Sequence, residues 1–209
     1  LMKEDSSVTM VVPLKTDTAA FRAWFGDSKV VDADGKPLVV YHGTITKGEA
    51  IDSFDIQKSG SKTDSGWTGK GFYFGDQRTA DAYAGHYEFD PDHFPEGGQV
   101  YPVFLSLQNP AILIDSERND GNSTMVRELL DLPDEATADE VREGLLAAGY
   151  DGVIYQRFSP YGDGYKEYTA FNPEQIKSAI GNNGNYDPND ANILYQSAAG
   201  ERNLMAVHK

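Results

Sequence analysis

The apolar residues of this chain fall in short runs, and that limits the folds open to it. "LVVY", "FYF", "QVYPVFLSL", "AILI", "DGVIYQ", "EYTAFNP" and "QIKSAI" are of strand length and rich in β-branched and aromatic residues. Gly, Pro, Asn and Asp punctuate them. Short helical patterns lie between. In "TDTAAFRAWFGDS", Phe21, Trp24 and Phe25 stand at i, i+3 and i+4, with Asp17 or Thr18 as N-cap and Gly26 as the stop. "DQRTADAYA" predicts a helix capped by Asp76, and "STMVRELLDLP" one ended by Pro133. "TADEVREGLLAAGY" opens with a capping box, Thr137 and Glu140. "KVVDADGKPLVVYHGT" reads as a hairpin turning at Asp34-Gly35, with His42 ending its second strand. "ANILYQ" reads as a final edge strand. Small helices among many short strands predict an α+β fold on a mixed or antiparallel β core. Its expected extent is one domain over 17–196, between an N-terminal arm (1–16) and a C-terminal tail (197–209).

Composition narrows the chemistry. The chain has no cysteine, which excludes disulfides, thiolate catalysis and Cys-ligated zinc. The formal net charge is −15, against the basic stripe that nucleic acid requires. The acidity is uneven. From His86 to Gly144 there are fourteen Asp or Glu against three Arg, whereas His42 to Arg78 holds five of each sign. The neutral stretch is the better seat for an anionic ligand. No apolar run approaches the roughly 20 residues that span a bilayer, so no membrane partner is expected. The first residue is Leu1, which leads us to expect a segment of a longer polypeptide. His86 and His93, with Glu88, Asp90 and Asp92, fit no zinc spacing. "DPND" (187–190) lacks the Gly and Glu of an EF-hand, and Gly69-Lys70-Gly71 is not a P-loop. No metal is expected.

Three stretches carry candidate chemistry. The first is "YHGT", Tyr41 to Thr44, where His42 offers two ring nitrogens and Gly43 lets a ligand approach the backbone. Taken alone, His42 reads more readily as a satisfied histidine at a strand end. The second is "GKGFYFG", Gly69 to Gly75. Alternation puts Phe72 and Phe74 on one face and Tyr73 on the other, and Tyr83 follows on the next helix. Two such rings can sandwich a planar group. The third is Glu167 in "GYKEYTAFNP", an acid opening an otherwise apolar strand.

In this order the three stretches resemble the ADP-ribosyltransferase superfamily, in its branch with a His, Tyr, Glu triad, which includes diphtheria toxin and the poly(ADP-ribose) polymerases. "YHGT" is similar to the first-strand motif. "GKGFYF" with "ADAYA" is similar to the Gly-Lys-Gly-aliphatic-Tyr-Phe segment and its second tyrosine. "KEYTAFNPEQI" is similar to the strand of the catalytic glutamate. "WFGDSKVVDADGKPLVVYHGT" and "FNPEQIKSAIGNNGNYDP" resemble such domains in phage and mobile-element polyvalent proteins. The resemblance spans roughly residues 20–196.

The resemblance implies NAD as substrate, with Glu167, His42 and Tyr73 as catalytic residues. It further implies an NAD site of His42, Gly43, Thr44, Phe72, Tyr73 and Tyr83. His42 would hold the adenosine ribose, the Gly43 backbone the nicotinamide amide, and Tyr73 and Tyr83 the nicotinamide ring. Glu167 would bind the nicotinamide ribose. The implied activity is transfer of ADP-ribose to a macromolecular acceptor, protein rather than nucleic acid, with release of nicotinamide. A toxin or phage effector acting in a bacterial cytoplasm is the expected setting. NAD hydrolysis, and a non-catalytic NAD-binding interaction domain, stay open as alternatives. Two positions depart from relatives. Ala80 stands where some carry Ser, and Tyr165 stands where arginine-specific ones carry an acid.

Overall fold

The computed structural model describes residues 15–46, 48–59, 66–85, 96–115, 121–157, 164–184 and 186–194. The strands are β1 (Val40–Ile45), β2 (Phe72–Phe74), β3 (Gly98–Leu105), β4 (Ala111–Asp115), β5 (Gly152–Arg157), β6 (Tyr165–Ala170) and β7 (Ile176–Ser178). The helices are α1 (Ala19–Phe25), α2 (Gln77–Tyr83), α3 (Gly121–Leu130) and α4 (Ala138–Ala147). One sheet runs β1-β3-β7 and the other β2-β6-β5-β4. All strand pairs are antiparallel except β4 with β5. This is the α+β, mixed-sheet architecture that the sequence predicts. Among the described residues no helix is long and apolar enough to cross a membrane.

Period-2 alternation divides the apolar side chains into layers. Val103 and Leu105 of β3, Phe72 and Phe74 of β2, Ile154 of β5 and Tyr168 of β6 share one core between the sheets. Phe104 points the other way and meets Phe21, Trp24 and Phe25 of α1. Val153 and Tyr155 turn to the outer face of the second sheet, under Val126 of α3 and Val141 and Leu145 of α4. α1, α2 and α4 are set by the caps their sequences encode. Thr18 Oγ1 accepts from the Phe21 N–H at 3.0 Å, while Asp17 pairs with Arg22 instead. Asp76 Oδ1 accepts from the Thr79 N–H at 2.7 Å. Thr137 and Glu140 form the reciprocal capping box.

Several boundaries differ from the sequence reading. The Asp34-Gly35 turn exists, but only a Val31–Pro37 bridge closes it, and β1 starts later. His42 therefore lies inside β1, not at its end. Glu167 is the third residue of β6, because pairing with β5 extends back to Tyr165. α3 begins at Gly121, two residues before Ser123. "ANILYQ" forms no strand over its described residues; Asn192 makes a single bridge to Ser53. There the buried Lys177 ammonium, donating to the carbonyls of Asp190 and Asn192, curls the segment. The expected terminal arm and tail, and the histidines His86 and His93, lie outside or almost wholly outside the described residues.

Neighbouring backbone leaves no room for a side chain at Gly43 or Gly71. A Cβ on Gly43 would sit 1.7 Å from the Ala80 carbonyl oxygen, because α2 packs directly on β1 there. A Cβ on Gly71 would meet the Ala170 carbonyl oxygen at 2.8 Å. Gly43→Ala must therefore displace α2, and overpacking of this kind costs about 3 kcal/mol. Denaturant unfolding is expected to show that loss; an unchanged midpoint would mean α2 does not rest on β1.

Candidate active site

Among the described residues one β-bridge joins the edges of the two sheets. The Tyr41 N–H donates to the Gly75 carbonyl at 2.9 Å, and the Gly75 N–H to the Tyr41 carbonyl at 3.0 Å. β1 and β2 part beyond that bridge, and a cleft of about 640 Å³ opens there. That size is within the usual range for a small-molecule site. Among the described residues its walls come from Tyr41 to Tyr83, plus Glu167. It thus occupies the charge-balanced stretch of the sequence.

Strand alternation explains what β1 offers. Tyr41 sits opposite Pro102 of β3 in a pair that exchanges no hydrogen bonds: Pro102 turns its carbonyl to the Ala179 N–H, and Tyr41 gives its own N–H and C=O to Gly75. Residues two apart in a strand direct their backbone groups to the same side. Gly43 therefore turns its N–H and C=O away from β3, into the cleft it lines. His42, one residue back, points its ring between Phe54 and Phe74, at centroid distances of 5.1 and 5.6 Å. Its Nδ1 lies 2.8 Å from the Tyr73 carbonyl oxygen. A carbonyl only accepts, so Nδ1 carries the proton, and Nε2 of the neutral ring is an acceptor. Burial among these rings lowers the His42 pKa below 6.5, and the Tyr73 carbonyl offsets that in part.

Tyr73 is held by its hydroxyl. The O–H donates to the Gly69 carbonyl at 2.6 Å and accepts from the Thr68 N–H at 3.1 Å. Thr68 in turn shares a 2.8 Å hydrogen bond with the Thr169 hydroxyl. Both ends of the phenol are thus fixed, and its ring forms part of the cleft wall. Phe72 and Phe74 are buried on the opposite face, as alternation predicts. Tyr73 pairs with Thr169, and Glu167 lies two residues along β6 on that same face. Such diagonal neighbours lie about 7–8 Å apart, with Cβ atoms somewhat closer. Tyr83 comes from α2 and is half exposed.

The structure therefore brings together the seven residues expected to form the site. His42, Gly43, Thr44, Phe72, Tyr73, Tyr83 and Glu167 all line this one cleft. Two further residues had no signal in the sequence. Asn122, at the start of α3, donates from Nδ2 to Glu167 Oε2 at 2.8 Å. Thr46 lines the cleft with a buried hydroxyl that has no hydrogen-bond partner among the described residues. Asn122 stands in the polar stretch "RNDGNST", and only the fold shows what it faces.

His42 gives a direct check on this geometry. Its pKa is lowered on folding, so the unfolded chain takes up the proton first as the pH falls. Its contribution to stability is complete above about pH 6.5 and is lost on acidification toward the folded value. An NMR titration of the ring protons should place His42 below 6.5. A value at or above 6.5 would contradict the buried, Nδ1-protonated ring.

The sequence matches, over residues 32–186, the family described as ADP-ribosyltransferase in polyvalent proteins. That span takes in every cleft residue named above. No curated protein matches the chain. The matched span covers most of the sequence, and the chain belongs to this family of ADP-ribosyltransferase domains.

Proposed function

We propose that this domain takes NAD as its ADP-ribose donor and works through His42, Tyr73 and Glu167, as the His, Tyr, Glu branch of the superfamily does. It would transfer ADP-ribose to a macromolecular acceptor and release nicotinamide. The observation that carries this reading is the convergence on one cleft of an imidazole from β1, a phenol from β2 and a carboxylate from β6. The net charge of −15 favours a protein acceptor over nucleic acid. A role as a toxin or phage effector in a bacterial cytoplasm belongs to the same proposal. It rests on the likeness to domains of phage and mobile-element proteins.

The roles follow from the chemistry of each group. Nε2 of His42 accepts a hydrogen bond from a hydroxyl of the adenosine ribose. The Gly43 N–H and C=O match the carbonyl and amino groups of the nicotinamide amide. The nicotinamide ring is cationic and stacks on Tyr73 and Tyr83, an attraction of about 1–2 kcal/mol. That attraction fades as the ring leaves neutral, so the tyrosines position rather than accelerate. In the reaction the bond from the ribose C1′ to the nicotinamide nitrogen breaks, and its electron pair leaves with neutral nicotinamide. No general acid is needed for a leaving group that is already cationic. Glu167 holds the ribose 2′-hydroxyl and stabilises the positive charge growing on the sugar. The acceptor's lone pair then closes on C1′, and its proton passes to Glu167 or to solvent.

Glu167→Gln keeps the shape and removes the charge. Turnover, read as nicotinamide release, should fall at least ~100-fold with NAD affinity preserved. Full turnover in that variant would remove Glu167 from the reaction. Labelled NAD incubated with the protein and a cell lysate is expected to leave label on protein. Free ADP-ribose alone would mean hydrolysis, and no consumption of NAD would mean a binding domain; either outcome overturns the transfer.

The two anchors of Tyr73 separate its roles. Tyr73→Phe keeps the ring but strands the Thr68 N–H and the Gly69 carbonyl, at about 1–2 kcal/mol of stability, with NAD affinity little changed. Tyr73→Ala should weaken NAD about tenfold, the equivalent of the lost stacking. Equal NAD affinities for the two variants in a calorimetric titration would exclude stacking on this ring.

A further inference from the structure

Resting on the catalytic assignment of Glu167, we infer that Asn122 is a positioning residue: it fixes and keeps ionised the carboxylate that reacts. The Asn122 amide donates to Glu167 Oε2 at 2.8 Å. An ionised carboxylate only accepts hydrogen bonds, so the amide must present its NH₂ to it. A carboxylate has about four lone-pair sites, so capacity remains for a ribose hydroxyl.

Asn122 is itself held by a closed circuit of contacts. Glu167 of β6 pairs with Tyr155 of β5. The buried Tyr155 hydroxyl donates to Asp115 Oδ2, at the end of β4, at 3.0 Å. The same Asp115 oxygen faces the Gly121 N–H, the first of α3, at 3.4 Å. The next residue is Asn122, which returns to Glu167. The start of α3 is thus tied through Asp115 and Tyr155 to the strand that neighbours the catalytic glutamate. Neither Tyr155 nor Asp115 lines the cleft, yet this buried pair acquires a purpose here, because it sets the height of Asn122 over β6.

A donor to the charged form favours ionisation, and a fixed rotamer aims the oxygen at the ribose. Both effects act on the transition state more than on NAD binding. The circuit makes no demand on the acceptor, so it serves transfer and hydrolysis alike.

The test uses Asn122→Ala and Asn122→Asp in the full chain, with nicotinamide release as readout and Glu167→Gln as control. Asp has the shape of Asn, suits the first turn of a helix, and removes the donor while adding a like charge. Both variants should lower kcat about tenfold or more with KM for NAD nearly unchanged, Asp at least as strongly as Ala. The acid limb of the kcat profile should move to higher pH. Without NAD, the Glu167 carboxyl followed by NMR should titrate higher in both variants than in the wild type. Wild-type kcat and acid limb in Asn122→Asp would reduce Asn122 to a filler of space and overturn the inference. So would an unmoved Glu167 titration, or a raised KM with kcat intact. Undiminished turnover in Glu167→Gln would instead overturn the catalytic assignment. The NMR titration would then still report on the contact itself.

Discussion

Two backbone hydrogen bonds between Tyr41 and Gly75 hold the edges of the two sheets together, and the site depends on where they stop. Before the bridge the sheets share a packed core; beyond it β1 and β2 diverge. The β1–β3 register sets this up: Tyr41 and Pro102 form a non-hydrogen-bonded pair, so Tyr41 turns its backbone groups to Gly75 while Pro102 turns its carbonyl to the Ala179 N–H. Alternation then carries the consequence two residues on, to Gly43. α2 is pressed onto β1 at that glycine and carries Tyr83 to the rim. One junction thereby sets the cleft's opening, its backbone recognition groups and one of its rings.

The charge inside the cleft is not what a dinucleotide would be expected to meet. Its described walls carry Glu49, Asp52, Asp55 and Glu167 against Lys58. Affinity for an anionic ligand must then come from stacking, from fixed hydrogen-bond groups and from a neutral His42, not from a basic field. That suits the proposed chemistry, in which one carboxylate must remain charged beside a sugar that becomes cationic. Rigidity supports it: Tyr73 is pinned by its hydroxyl, His42 by Nδ1, and Glu167 by Asn122.

Much of this was legible in the sequence where the rules are local. The capping box at Thr137, the cap at Asp76, and the burial of Phe72 and Phe74 with Tyr73 turned outward all follow from spacing of a few residues. The three motifs carried residues that the fold brings to one cleft. The reasons for individual glycines were not legible. Gly43 looked like room for a ligand, yet Ala80 fills the space a side chain would take, as Ala170 does at Gly71, and nothing near them in sequence says so. The start of α3 was missed because Gly121 lies in a polar stretch with no apolar period, and Asn122 was lost with it. Strand ends failed for a related reason. His42 and Glu167 sit mid-strand because β3 and β5 extend the pairing, and ladder length is decided by the partner.

The central claim is that one cleft, opened by the parting of β1 and β2, receives NAD with its nicotinamide ribose at Glu167. A crystal structure of the Glu167→Gln protein with NAD tests it most directly. The nicotinamide should lie between Tyr73 and Tyr83 with its amide on the Gly43 backbone, and the ribose 2′-hydroxyl should fall within hydrogen-bond distance of residue 167. NAD bound outside this cleft, or bound in it with the nicotinamide ribose remote from residue 167, would contradict the account.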